Sequence, residues 1–541
     1  MTETSRTVLL RGGAVYSPAD PFATAMLVEG GHVAWVGSDG AAETYAQTAD
    51  EIVELDGALV TPAFVDAHVH ATATGLALTG LDLTGTPSLA AALAALTAFA
   101  ADRAEPGGVL IGHGWDETGW PEGRPPTLAE LDAAAGGAAV YLSRTDVHSA
   151  LATTALRALT EGLTEGLADL PGFHPEGPLT RDAHHAVRRT ALARLTPEQR
   201  RRAQSATLAR AAELGIGALH ECAGPEISSE QDLTALLELA AEGTGPEVFA
   251  YWGESSGRGG VETARRLGAI GAGGDLFVDG ALGSHTACLH DDYADAAHTG
   301  TSYLSAEQIA DHVAACTEAG LQAGFHAIGD AAVTAVLEGV RAAGDRVGAD
   351  RVRALRHRVE HAEALDDKAV AAFAELGLTA SVQPAFDAAW GGPDGMYAQR
   401  LGAERAAGLN PFAALLRTGV PLAFGSDAPV TPLDPWGTVR AAAFHRTAEH
   451  RISVRAAFTA HTRGGWRAIG RDQDGVLVPG AVASYAIWAA GELVVQAPDD
   501  RVAGWSTDPR SGTPGLPDLT PGGPLPTCLR TVVRGRTVHQ A

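Results

Sequence analysis

The chain has 541 residues, too many for one hydrophobic core, so two or three domains are expected. Its 39 Lys+Arg against 65 Asp+Glu leave a formal net charge of −26, which argues against nucleic acid or an anionic membrane as partner. No run approaches ~18 uninterrupted apolar residues, so no membrane span is expected, and Cys222, Cys288, Cys316 and Cys528 lack C-x-x-C spacing, which reads as reduced thiols in a cytoplasm.

In chain order, the N-terminus carries no apolar signal segment and leads into residues 7–60, short alternating strands separated by glycine turns. Phe64-Val-Asp-Ala-His-Val-His70 follows, an apolar run ending in two histidines one residue apart. In a strand, His68 and His70 point to the same face and aim two imidazoles at one point. With 20 His in 541 residues, roughly one His-x-His arises by chance, so the pair needs support from elsewhere. A long insertion at about 75–200 holds helical patterns such as Leu89-Ala-Ala-Ala-Leu-Ala-Ala-Leu96 and an aromatic segment around Trp115 and Trp120. Insertions after barrel strands usually roof an active site, and this one is expected to do so. Further strands are expected at 217–221, 247–252, 275–279, 322–326, 356–361, 379–383 and 421–426, which with 64–68 makes eight. From about 470 the short-strand character returns, interrupted by a Pro/Gly-rich stretch at 497–527 read as surface loop.

Three of the later strands end as the first one does, in a polar residue: His326, His361 and Asp427. The steps of 35 residues (326 to 361) and 66 residues (361 to 427) match about one and two strand-helix units of a (β/α)8 barrel. The expected fold is therefore α/β, a (β/α)8 TIM barrel over 61–469 with its chemistry at the C-terminal strand ends. Four His and one Asp point to Zn2+, although other divalent metals suit the same donors. His68, His70, His326 and His361 are the expected ligands, against the alternative of satisfied core histidines. Asp427 is expected to be both ligand and proton carrier, with a helix cap before Ala428-Pro429 as its alternative. Asp330 and Glu360 are expected to orient the histidines or to hold barrel loops. Trp115, Asp116 and Gln383 are candidates for substrate contact, with packing as the alternative. Arg405 is a candidate for gripping a carboxylate, with a helix salt bridge as the alternative.

The words Thr61-Pro-Ala-Phe-Val-Asp-Ala-His-Val-His70, Gly114-Trp-Asp116, Trp120-Pro-Glu-Gly-Arg124, Asp279-Gly280, His326-Ala-Ile-Gly-Asp330, Arg356-His-Arg-Val-Glu-His361, Gln383-Pro384 and Phe424-Gly-Ser-Asp-Ala-Pro-Val430 stand in an order that resembles the amidohydrolase superfamily. Within it the chain is most similar to amidohydrolase family 3, which includes N-substituted formamide deformylases. The resemblance implies a small β-sandwich domain built from both chain ends, 1–60 and 470–541, beside the barrel. It implies hydrolysis of a non-peptide C–N bond (amide, formamide or cyclic amide) in a small-molecule substrate. Many relatives carry a lysine on the fourth strand whose carboxylated form bridges two metals. Here that position is Asp275, and Lys368 is the only lysine in the chain. Asp275 and Asp279, expected on one strand face, or Glu221 at the end of the second strand, are candidates to replace it. One zinc is expected, and two if one of these carboxylates bridges. His148 resembles a family segment that reaches the active site, and His285 stands in the loop where relatives often carry Arg. An inert small-molecule binder, or an esterase or isomerase on the same scaffold, remain as alternatives. A homodimer is the default assembly.

Overall fold

The computed structural model describes residues 6–103, 107–145, 149–162, 166–495, 497–499, 504–506 and 514–541. The chain divides into two compact units, Ala71–Thr207 and the remainder. Among the described residues no helix is long and apolar enough to cross a membrane.

The larger unit is built on eight parallel strands: β1 (Phe64–Val69), β2 (Ile216–Ala223), β3 (Glu247–Trp252), β4 (Gly271–Ala272), β5 (Gln322–Ala327), β6 (Arg358–His361), β7 (Thr379–Val382) and β8 (Leu422–Phe424). They hydrogen-bond in sequential order from β1 to β8. The ring closes where Asp427 N donates to His68 O at 2.8 Å and His70 N donates to Ala428 O at 3.0 Å. Every residue of β1 and β2 is buried, as expected for parallel strands covered on both faces. Helices connect successive strands, with sharp local ends. Ala306–Ala319 starts in a Ser305/Gln308 capping box and stops at left-handed Gly320. Asp366 caps Asp367–Leu376, which stops at left-handed Gly377.

The fourth strand departs from expectation. Residues 275–279 are not a strand, apart from one bridge between Phe277 and His326, and β4 lies earlier, at Gly271–Ala272. The cause is Gly273-Gly274, both at positive φ (146° and 77°). A Cβ at Gly273 would stand 2.2 Å from Gly324 N, so the two backbones touch here and the ladder is interrupted, until His326 N donates to Leu276 O and Val278 N to His326 O, both at 3.0 Å. Asp275 follows directly, ahead of the point where pairing with β5 resumes.

Two further sheets of this unit come from the chain ends, the first from N-terminal strands alone and the second from both ends. One runs in the order His32–Gly37, Ala25–Glu29, Thr7–Arg11, Glu51–Glu54; the other runs Ala14–Val15, Leu59–Pro62, Tyr485–Ala489, Thr527–Val533, Arg536–Gln540. Leu10, Met26 and Val33 from the first share a buried core with Val60, Tyr485, Ile487 and Val532 from the second. Apolar alternation on each strand supplies that core. Where the C-terminal loop returns, Arg440 anchors it by donating to the carbonyls of Leu519 and Gly523.

The smaller unit forms a helix where the Leu89–Leu96 pattern places one, and it also holds a sheet. Its centre is a five-stranded sheet in the order Leu179–Thr180, Ser149–Ala152, Ala139–Arg144, Val109–Trp115, Leu81–Asp82. Helices Leu89–Arg103 and Leu128–Ala135 pack on it through Leu96 and Leu131. Val109-Leu-Ile and Ala139-Val-Tyr-Leu are short apolar runs, which length and composition alone do not distinguish from buried helix.

Candidate metal centre

The C-terminal ends of β1, β5, β6 and β8 bring His68, His70, His326, His361 and Asp427 together, and the turn after β4 adds Asp275. Three overlapping sets (His68, His361, Asp427; His68, His70, Asp275; Asp275, His326, His361) have donor atoms within 4.8 Å of one another. Asp275 is common to two of them. Its Oδ2 lies 3.2 Å from His70 Nε2, and its Oδ1 lies 3.5 Å from His68 Nε2 and 3.8 Å from His361 Nε2. Asp427 Oδ1 lies 3.1 Å from His70 Nε2 and 3.6 Å from His68 Nε2.

Local backbone makes this convergence possible. Glu360 and His361 are adjacent, and regular alternation would send them to opposite faces. His361 instead takes φ 68° and Asp427 φ 54°. Such left-handed residues cost about 1–3 kcal/mol each and concentrate at functional sites. At the β8 end a Cβ on Gly425 would meet His68 N at 2.5 Å, so only glycine lets β8 close against β1 there. Asp66 secures the closure by accepting from Ser426 N at 2.9 Å, and burial lifts its carboxyl to about 6 against these hydrogen bonds.

Three imidazoles are held by their Nδ1 atoms. His68 Nδ1 meets Glu360 Oε2 at 2.9 Å, His70 Nδ1 meets Cys222 O at 3.0 Å, and His361 Nδ1 meets Gln383 Oε1 at 2.8 Å. Each partner is an acceptor, so each ring donates its Nδ1 proton and turns its Nε2 to the centre. His326 Nδ1 has only Asp279 Oδ1, at 3.5 Å. Among the described residues His68 Nε2, Asp275 Oδ1, Asp427 Oδ1 and His326 Nδ1 are buried and have no hydrogen-bond partner. Imidazole nitrogens and carboxylate oxygens buried together without a hydrogen-bond partner are a costly arrangement that a cation relieves. Burial opposes charge on these groups. Even so, His68 and its neighbouring imidazoles hold Asp275 well below the usual carboxylate range, and the carboxylates of Asp275 and Asp427 hold His70 well above its ordinary value. The donor set fits a divalent metal of borderline character.

Sequence comparison places this geometry. The model of the Amidohydrolase family matches residues 51–539. The chain belongs to the amidohydrolase family. It is 29% identical over 535 residues to Protein LONG AFTER FAR-RED 3 of Arabidopsis thaliana, spanning 89% of this chain and 86% of that one. It is 24% identical over 435 residues to the N-substituted formamide deformylase of Arthrobacter pascens, spanning 76% and 78%. Among solved structures, an uncharacterized metal-dependent hydrolase from Pyrococcus furiosus superposes with a TM-score of 0.74 at 26% identity, covering 89% of this chain and 98% of that chain.

Other sequence candidates of this amidohydrolase lie elsewhere or do something different. Glu221 alternates with His220 and Cys222 on β2 and joins none of the clusters found among the described residues. His220 and Cys222 face inward, towards Arg358 and towards His68 with Glu360, so Glu221 faces the other way. Gln383 is at the centre, but its carbonyl orients His361. Asp279 accepts from the backbone N–H groups of Cys288, Ile328 and Gly329, and so anchors two loops. His285 pairs with Asp295 at 2.9 Å. The Arg405 guanidinium is engaged by the carbonyls of Leu401, Asp291 and Asp292, so it braces a loop and is not poised for a carboxylate. In the smaller unit Trp115 is core, its indole N–H donating to Leu142 O, and Asp116 caps a short turn and pairs with Arg144. These two make packing and capping contacts. His148 lies outside the described residues. Glu360 orients a histidine, whereas Asp330 accepts from the backbone of His290 and Ala331. Sequence reading missed Arg358, whose guanidinium is fully buried beneath the centre. Its signal was the i, i+2 spacing with Glu360 on one strand.

Proposed function

We propose that this chain is a metal-dependent hydrolase of a non-peptide C–N bond in a small amide, formamide or cyclic amide. The unpaired His68 Nε2, Asp275 Oδ1 and Asp427 Oδ1 at the barrel mouth are the observation that carries the reading. His68, His70, His326 and His361 with Asp275 and Asp427 would hold the metal, zinc by the chemistry of the donors, with one ion and Asp275 where relatives carry lysine. A divalent cation there supplies Lewis-acid activation of water and of the scissile carbonyl, lowering the water pKa towards ~7.

The remaining work falls to side chains. Asp427 accepts a proton from the attacking water and returns it to the departing nitrogen. Its backbone bond to His68 O keeps that carboxylate beside the imidazoles throughout. Gln383, Glu360 and the Cys222 carbonyl keep three rings in one tautomer, so little reorganisation accompanies reaction. The formamide and amide class is supported by the likeness to the Arthrobacter deformylase. The same proposal takes 61–469 as the catalytic barrel, 1–60 with 470–541 as a β-sandwich domain, a cytoplasmic location and a homodimer.

The test is elemental analysis of protein purified without chelator, followed by assay on N-formyl amines, cyclic amides and aryl esters. The expected result is about one zinc per chain, from the donor set, with turnover confined to the C–N substrates. Two metals per chain would make Asp275 a bridge. Turnover of esters alone would overturn the bond assignment, and no metal uptake would overturn the whole reading.

A further inference from the structure

Beneath the centre lies a charged group that no step of the proposed reaction uses. Arg358 is fully buried inside the barrel, its guanidinium 4.5 Å over the Tyr251 ring. It grips both oxygens of Glu360, Nε to Oε1 at 2.5 Å and an Nη to Oε2 at 2.8 Å. The same Nη donates to Ala67 O at 2.6 Å and to Ser381 Oγ at 2.7 Å. Glu360 Oε2 is also the acceptor for His68 Nδ1.

We propose that Arg358 is a positioning residue for His68, a proposal that rests on the reading of the site as a metal centre. It holds His68 from two directions: through Ala67 O it fixes the backbone just before the residue, and through Glu360 it fixes the ring. A planar fork bound to both carboxylate oxygens leaves Glu360 one orientation, which a point-charge ammonium would not. The neighbouring histidines need no such device. His70 leans on a backbone carbonyl and His361 on a neutral amide, neither of which requires a buried counterion. A buried ion pair contributes little net stability, so its place directly under a ligand candidate argues for orientation.

The test uses the full chain, stripped of metal and titrated with Zn2+ against a chromophoric chelator, with histidine-selective 15N spectra of the metal-free protein. Arg358→Lys keeps the charge and loses the fork. It is expected to weaken Zn2+ binding by roughly ten- to a hundred-fold and to displace the His68 Nδ1–H resonance. Ser381→Ala removes one guanidinium anchor and is expected to shift both readouts less, in the same direction; it decides the matter if the lysine variant does not fold. Arg356→Lys, two residues away in a partly exposed pair with Asp472, is expected to match the parent. A folded Arg358→Lys or Ser381→Ala with parental Zn2+ affinity and an unmoved resonance would overturn this inference alone. A parent that takes up no Zn2+ would overturn the reading of the centre with it.

Discussion

Asp427 concentrates the residue-scale physics of the site. It is buried, sits in left-handed backbone, and has one oxygen aimed at two imidazole nitrogens. Positioned proton transfer contributes about 10²–10⁴-fold to rate. Asp427→Asn, which keeps an oxygen donor but cannot carry the proton, is expected to lose activity on that scale while retaining metal. Measuring kcat beside metal content checks this, and full turnover in the metal-loaded variant would remove the role. The adjacent pair Glu360 and His361 shows what one-dimensional reading resolves at this scale. Both residue types were visible as candidates for the centre. Their relation was not, because strict alternation puts neighbours on opposite faces, and the positive φ of His361 is a property of the folded turn.

At the scale of elements, seven of the eight barrel strands fall within a few residues of where apolar runs place them, and the eighth does not. Asp275-Leu-Phe-Val-Asp279 alternates like a strand, yet the contact of Gly273 with Gly324 interrupts the ladder before it and leaves a single bridge, Phe277 to His326. That irregularity delivers Asp275 to the centre. Gly273→Ala is expected to lower stability by about 1–3 kcal/mol through forced backbone separation and to weaken metal binding together with it. Denaturant unfolding and Zn2+ titration check the two effects, and an unchanged midpoint would mean that the β4–β5 contact gives way easily. Arg405 and Trp115 each carry two readings in the sequence for a related reason. A guanidinium or an indole is equally suited to recognition and to bracing, and only the carbonyls around each one show which applies.

For the whole molecule, several buried histidines are structural and neutral. His312 receives a bond from Ser256 N and gives one to Ala272 O, and burial lowers it to about 4. His357 receives one from Ala323 N and sits at about 3, and His461, against Val65 O, at about 4, both by burial. Each folded value lies below the unfolded ~6.5. Their stabilisation is complete above about pH 6.5 and is lost as the pH falls from there towards 4, because only the unfolded chain takes up the protons. Unfolding midpoints are therefore expected to drop between pH 7 and pH 5, and a flat profile would contradict the burial of these rings. Chelator treatment at constant pH is expected to lower the thermal midpoint as well. A ligand at a thousand times its Kd stabilises the folded state by about 4 kcal/mol, and a scan with and without Zn2+ reads the difference.

The parallel barrel, the family and five of the six side chains at the centre are legible in the linear chain. Apolar periodicity and a polar residue at each strand end are local properties, and they survive reading in one dimension. Tertiary structure decided the rest. It chose Asp275 over Glu221 by facing, set the ring orientations through acceptors on other strands, and paired five short strands of the insertion into a sheet beside its helices. Those outcomes depend on which backbone and which acceptor come close across the barrel, and such proximity exists only once the chain has closed.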